Sequence, residues 1–227
     1  MIEEICNRLN ISVGSFVEFG AWDGKHLSNT FSLLKKGWRG VYIEGDKEKY
    51  RDLLETSMEF TEQITPICAW VHYEGEYTLD NLLAKTPVPI EFELLSIDVD
   101  SYDWHIWNSL QNYKPKIVII EGKSTVLPGI WQVHEDGVTQ GNSFSALLGL
   151  GNIRGYELVC HTGNLIFVRK EFLAQLNLDP IHICFPENLF NYKKHFEELR
   201  YQNRLSSRID SIIPAKIKDI IRKIANT

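Results

Sequence analysis

The sequence predicts an α/β fold built on a seven-stranded sheet, parallel except for an antiparallel last strand, with helices on both faces. Three observations carry this expectation. Short β-rich runs alternate with amphipathic stretches, the pattern of strands joined by crossover helices. Only Thr162 and Gly163 separate the last two runs, a connection that permits an antiparallel hairpin and is too short for a parallel crossover. With 227 residues, 44% of them hydrophobic and 24% charged, the chain can bury one sizeable core.

The seven runs are residues 15–20, 40–45, 64–71, 94–99, 116–122, 156–161 and 164–170. Between the first two, Leu27, Phe31 and Leu34 recur at i, i+4 and i+7 and Gly37 follows, which predicts a helix closed by a left-handed cap. Tyr50, Leu53 and Leu54 form the next apolar stripe, with Asp46 in position to cap it. Trp104, Trp107 and Leu110 mark a third helix, and residues 142–152, ended by Arg154, Gly155 and Tyr156, a fourth. Neither a repeat nor a low-complexity segment is visible.

Composition narrows the function. A formal net charge of -6 argues against a protein that holds nucleic acid by neutralising many phosphates. Cys6, Cys68, Cys160 and Cys184 lie far apart, without the paired spacing of a zinc site or redox dithiol, and read as reduced core thiols. The first residues carry acids where a secretory signal carries cations, and no apolar run reaches the ~18 residues of a spanning helix. A cytoplasmic protein without a transmembrane segment is expected.

The end of the first run, "VEFGAWDG", departs from the dinucleotide fingerprint G-x-G-x-x-G, and twenty residues past Gly24 the acid Glu44 ends the second strand. A carboxylate at that tip can accept both hydroxyls of a ribose, while glycines let a ligand approach the backbone near a helix N-terminus. Turn glycines and a solvated strand end are the competing readings. Asp23 reads as the cap of the following helix.

With the terminal hairpin, "VEFGAWDGKHLSNTF", "VYIEGD", "LLSIDVDSYDWHIWNSL" and "KIVIIEGK" resemble the class I S-adenosylmethionine (SAM) dependent methyltransferases, over roughly residues 13–170, and within them the FkbM-like and related sugar O-methyltransferases. The resemblance implies a Rossmann-like methyltransferase sheet and a SAM cofactor. It also implies that Glu18, Gly20 and Gly24 contact the methionine end of SAM, that Glu44 holds the ribose, and that Ala69 and Trp70 lie by the adenine. For Trp70, core packing is an equal alternative.

Asp98 and Asp100, two apart at the end of the fourth run, project to one side, with Asp103 a short turn on and Glu121 ending the neighbouring run. Such carboxylates repel one another unless a cation, hydrogen bonds or a shared proton relieves them. Three readings stay open: structural capping, above all for Asp103; contact of Asp98 and Asp100 with SAM or the acceptor; and Mg²⁺ held by Asp98, Asp100 and Glu121. A hydroxyl acceptor needs a base, and His134, in the long loop after the fifth run, is the expected one, with His105 as the other candidate. His72, His182 and His195 read as surface or packing residues.

The expected organisation is a SAM-binding methyltransferase domain over residues 1–172, including an N-terminal helix, and a C-terminal helical lid or oligomerisation extension over 173–227. In the extension "FPENLFNYKKHFEEL" is aromatic, while Ile212, Ile213, Ile217, Ile220, Ile221 and Ile224 alternate with Lys and Arg around Pro214, a pattern suited to a homo-oligomer contact. The expected activity is O-methylation of a sugar hydroxyl in polysaccharide or natural-product biosynthesis. Two alternatives are a nicotinamide-dependent oxidoreductase, which requires a last strand running parallel, and a non-catalytic SAM-fold subunit that binds a partner.

Overall fold

The computed structural model describes residues 1–212, and the side chains of residues 1–204. In chain order the elements are α1 (Ile2–Arg8), β1 (Ser15–Phe19), α2 (Phe31–Leu34), β2 (Arg39–Glu44), α3 (Lys47–Glu59), β3 (Ile64–Cys68), α4 (Leu79–Leu83) and β4 (Leu94–Ile97). There follow α5 (Asp103–Ser109), β5 (Ile117–Glu121), α6 (Phe144–Ile153), β6 (Tyr156–His161), β7 (Asn164–Arg169), α7 (Leu173–Leu176), α8 (Pro180–Cys184) and α9 (Tyr192–Ile212).

The seven strands form one sheet in the order β3-β2-β1-β4-β5-β7-β6. The pairs β3–β2, β2–β1, β1–β4 and β4–β5 are parallel, and β7 alone runs against its neighbours, between β5 and β6. This is the Rossmann-like seven-stranded sheet expected above, parallel except at its last strand, and the antiparallel β7 is what the nicotinamide alternative required to be parallel.

Strand alternation sends side chains into two cores. Val17, Phe19, Ile43, Ile97 and Ile120 face α4, α5 and α6, while Phe16, Tyr42, Leu94 and Ile119 face α1, α2, α3 and α7. Strands covered on both sides read as continuous apolar runs, which is why they are legible in the sequence. Each fully buried Phe or Leu contributes about 1.5–3 kcal/mol relative to exposure.

Local signals held in part. Asp46 Oδ1 accepts from the Glu48 and Lys49 N–H groups at the start of α3, and Gly37, at φ +89°, follows α2. The helix expected from Leu27 is not formed: α2 has only four residues, and Leu27 stands at φ +56° and 87% exposed. Asp23 caps a turn instead, accepting from Lys25 and His26 N–H. Of the four thiols only Cys6 is buried; Cys68 and Cys184 are exposed, because β3 is an edge strand and α8 lies on the surface.

The C-terminal segment is anchored to the domain. Leu176 and Phe190 are buried, and Arg8 donates to the Leu176 carbonyl. Ile213, Pro214, Ile217, Ile220, Ile221 and Ile224, on which the oligomer expectation rests, lie outside the described residues. No helix among the described residues is long and apolar enough to cross a membrane.

Candidate functional site

The carboxyl ends of β1, β2 and β4 open onto a cleft of about 310 Å³ lined by Glu18, Gly20, Trp22, Glu44, Trp70 and Asp98, with Ala21, His26, Leu27, Ser28, Lys49, Val99 and Asp100 completing its wall. That is at the lower end of the range of small-molecule pockets. A switch point lies here: the chain steps outward from β1 to β2 and β3, then returns to β4 on the other side of β1, so the flanking loops part.

Gly20 stands at φ +73°, and a Cβ there would lie 1.9 Å from the Asp98 carbonyl oxygen. The bare backbone is therefore required by the approach of the β1 and β4 ends. Gly24, at φ +72°, faces Leu53 and Tyr42 and does not line the cleft. The loop spends its own donors internally: Gly20 and Ala21 N–H reach the Ile43 carbonyl and Gly24 N–H reaches Ala21. The helix N-terminus expected to present free N–H groups beside these glycines is absent.

Glu18 is buried and accepts from Ser28 Oγ (2.8 Å), Asn29 N–H (3.0 Å) and the Thr30 hydroxyl. Burial pushes its proton affinity up and these donors oppose that. Glu44 is 5% exposed; Oε2 accepts from Trp22 N–H and Oε1 from Asp46 N–H, both at 2.8 Å. A carboxylate has about four acceptor sites, so two remain for ligand hydroxyls. By holding Trp22 N–H, Glu44 also fixes Trp22 at φ +47°.

Trp70 is 64% exposed and its ring lies over Gly45, where a Cβ would come within 2.2 Å of it, so it is no core aromatic. Ala69 is buried in the core beside it. Trp22, with Lys49 Nζ 5.1 Å above its ring, adds an aromatic wall that the sequence reading missed. A tryptophan after a strand-end glycine was the available signal. Among the six described non-glycine residues at positive φ, Trp22, Leu27 and Asp100 line this cleft, a concentration of backbone strain usual at binding sites.

Asp98, Asp100 and Glu121 are brought together, with ligating oxygens all within 4.8 Å of one another. Asp100 does this from φ +60°, beyond the end of β4, not by strand alternation. Burial, then Asp103, Asp100 and Glu18, push Asp98 up to about 6. Burial, then Asp98 and Asp100, push Glu121 up to about 8. Asp103 is structural: its carboxylate accepts from Val99 and Ser101 N–H, both at 2.9 Å, and shapes the loop that carries Asp100.

Asp100 also lines a second cavity of about 210 Å³, with Asp103, Glu121, Lys123, Ser124, Asn142 and Glu198 among its walls. His134 reaches neither cavity. Its Nδ1 accepts from Gly141 N–H (3.3 Å), its Nε2 meets Asp136 Oδ1 (3.2 Å), and its ring packs edge-on against Tyr102. His105 lies among Tyr73, Tyr102 and Trp104, where burial holds its proton affinity down.

No family model and no curated protein matches the chain. Among solved structures it is similar to TrmK of M. capricolum in complex with S-adenosyl-homocysteine, at 14% identity over 99% of this chain and 94% of that one, TM-score 0.49. It is also similar to a putative RNA methyltransferase from Pyrococcus horikoshii, at 11% identity over 73% and 79% of the two chains, TM-score 0.46. A putative methyltransferase from Escherichia coli, yhhF, shares 12% identity over 74% and 84%, TM-score 0.46.

Proposed function

We propose that the chain is a SAM-dependent O-methyltransferase acting on a small-molecule hydroxyl, that of a sugar in polysaccharide or natural-product assembly. The observation that carries this is the junction at Asp100: an open cleft with an acid at the tip of β2 and two exposed tryptophans on its wall meets a second, acid-lined cavity. When bound, SAM supplies a sulfonium methyl group for in-line transfer to an oxygen nucleophile.

Glu44 accepts the ribose hydroxyls at the two sites its backbone partners leave open, and Trp70, beside Ala69, gives the adenine an apolar face. Gly20 and Asp98 border the methionine end, with Glu18 holding the loop from behind and Gly24 turning it. Alignment of donor and acceptor can supply up to about 7–11 kcal/mol of the barrier. Asp98, whose proton affinity is raised by burial and then by its acidic neighbours, takes the hydroxyl proton, a role worth about 10²- to 10⁴-fold. It replaces His134, whose ring nitrogens are committed within its own loop.

The mutual distance of Asp98, Asp100 and Glu121 favours a second reading. Three anionic oxygens suit a hard divalent ion such as Mg²⁺, which would relieve their repulsion and polarise the acceptor hydroxyl. An RNA acceptor is disfavoured by the net charge of -6 and by the acids at the junction.

Calorimetry with SAM, S-adenosyl-homocysteine and NAD tests the cofactor. SAM binding that is lost in Glu44→Ala is expected, and affinity for NAD alone would overturn the reading. Turnover unchanged by chelator, with no metal by elemental analysis, would remove the Mg²⁺ reading. Label transferred from SAM to a tRNA transcript and not to sugars would replace the acceptor.

A further inference from the structure

The C-terminal segment supplies part of the wall of the second cavity. Its walls after β5 come from the loop that follows Glu121, and the rest from α9, through Glu198 and Gln202. Docking of α9 is specific. His195, 5% exposed, donates from Nδ1 to the Ser124 carbonyl at 2.8 Å. Asn191 N–H donates to His161 Nδ1 at 3.0 Å, and Phe190 packs against Phe144 and His161. These contacts fix the first turn of α9, and Glu198 stands three residues beyond His195 on the same side of the helix.

The chemistry of the wall is one-sided. Asp100, Asp103, Glu121 and Glu198 line it, with Lys123 as the lining cation. The Lys123 ammonium is already given to the Gln140 carbonyl, and Lys194, nearby on α9, lies 3.5 Å from Glu198. Among the described side chains, even a divalent ion on the Asp98, Asp100 and Glu121 trio leaves no surplus of positive charge to receive a phosphate or carboxylate. A second observation is Ser124: it lines the cavity, is 2% exposed, and its hydroxyl, sealed from solvent in this rotamer and presented to a ligand only by a turn about χ1, has no hydrogen-bond partner among the described residues. An orphaned buried hydroxyl costs free energy that a ligand hydroxyl or amine would return.

We propose that α9 completes the acceptor site of this chain, that Glu198 and Ser124 are its specificity-determining residues, and that the acceptor is hydroxyl-rich and free of anionic groups, either neutral or amino-substituted. This rests on the methyl-transfer reading above. Asn142 fixes the floor of the site, its Nδ2 donating to the Ser101 carbonyl at 2.9 Å and its Oδ1 accepting from His134 N–H at 3.0 Å. Glu198 then adds an attraction for cationic groups and a penalty for anionic ones.

The test uses the full chain and methyl-labelled SAM with four probes: methyl glucoside, glucosamine, glucuronate and glucose 6-phosphate. Methyl glucoside and glucosamine are expected to accept label, and the two anions to show kcat/KM at least about tenfold lower. Glu198→Lys is expected to raise KM for glucosamine roughly 3- to 10-fold, and Glu198→Gln less, with kcat and calorimetric SAM affinity unchanged. Ser124→Ala should raise KM for both acceptors. Equal use of the anions, or Glu198→Lys without effect on KM, would overturn the proposal. Binding of SAM without methylation of any probe would also overturn it while leaving the cofactor reading intact; absence of SAM binding would remove that reading itself.

Discussion

An alanine at Gly20 would place its methyl carbon 1.9 Å from the Asp98 carbonyl oxygen, in a backbone at φ +73°. Two costs follow and can be separated. The left-handed backbone costs an L-residue about 1–2 kcal/mol, partly offset by about 0.4–1 kcal/mol from the reduced freedom of the unfolded chain. The overlap is with backbone, which cannot rotate away, so β1 and β4 must part at their carboxyl ends, an overpacking cost of about 1–3 kcal/mol. Gly75 supplies the control: it has φ +77° and nothing lies within 4 Å of the point a Cβ would occupy, so Gly75→Ala carries the backbone cost alone. Urea unfolding should show Gly20→Ala destabilised beyond Gly75→Ala by about 1–3 kcal/mol with the slope m unchanged. In a chain this long that is a further fall in Tm of roughly 2–12 °C. Equal destabilisation of the two variants would refute the close approach of β1 and β4 and with it the account of the cleft floor. Calorimetry should also show weaker SAM binding in Gly20→Ala alone.

Trp70→Ala removes a ring that is mostly solvated, so the midpoint of unfolding should barely move, while loss of one stacked base costs SAM about 1–3 kcal/mol, roughly 5- to 150-fold in Kd; an unchanged Kd would take Trp70 out of the site. Burial and mutual repulsion push Asp98 up to about 6 and Glu121 up to about 8, above the ~4 of unfolded carboxyls, so the native state binds more protons over about pH 4–8 and stability falls as pH rises through that window. Thermal melts in chelator should show this fall, flattened in Glu121→Gln and by added Mg²⁺, and an identical slope in the variant would dismiss the repulsion. Burial holds His161 down at about 4, so the unfolded chain binds the extra proton and stability is lost as pH drops from about 6.5 towards 4, a loss that His161→Gln should reduce in the same melts. His134→Ala should leave kcat within a few-fold, and a fall of about 10²-fold or more would return His134 to the role of base.

Much of the frame was legible because it is written in local or short-range terms. The seven strands announce themselves as apolar runs since both faces of the sheet are covered. Two residues between the last runs forced a hairpin, and β7 runs antiparallel as that connection requires. Asp46 and Gly37 follow from the groups within one turn of them. Leu27 misled because its spacing to Phe31 and Leu34 is helical, whereas Glu18, contributed from inside the sheet, binds Ser28, Asn29 and Thr30 and holds that stretch in a loop of successive turns. No periodicity in the loop itself carries that information.

The sequence by itself determined the strand set, the hairpin and the residues at the strand tips, Glu44, Asp98 and Glu121 among them, because strand ends are where a parallel sheet must place its polar groups. Only the tertiary structure decided which of those groups meet: the left-handed Asp100 that draws three carboxylates together, the commitment of the His134 ring to Asp136 and Gly141, and the arrival of Glu198 from α9 at the second cavity. Each depends on contacts between segments far apart in the chain, whose closure is set by packing of the whole domain and leaves no mark on the local pattern of residues.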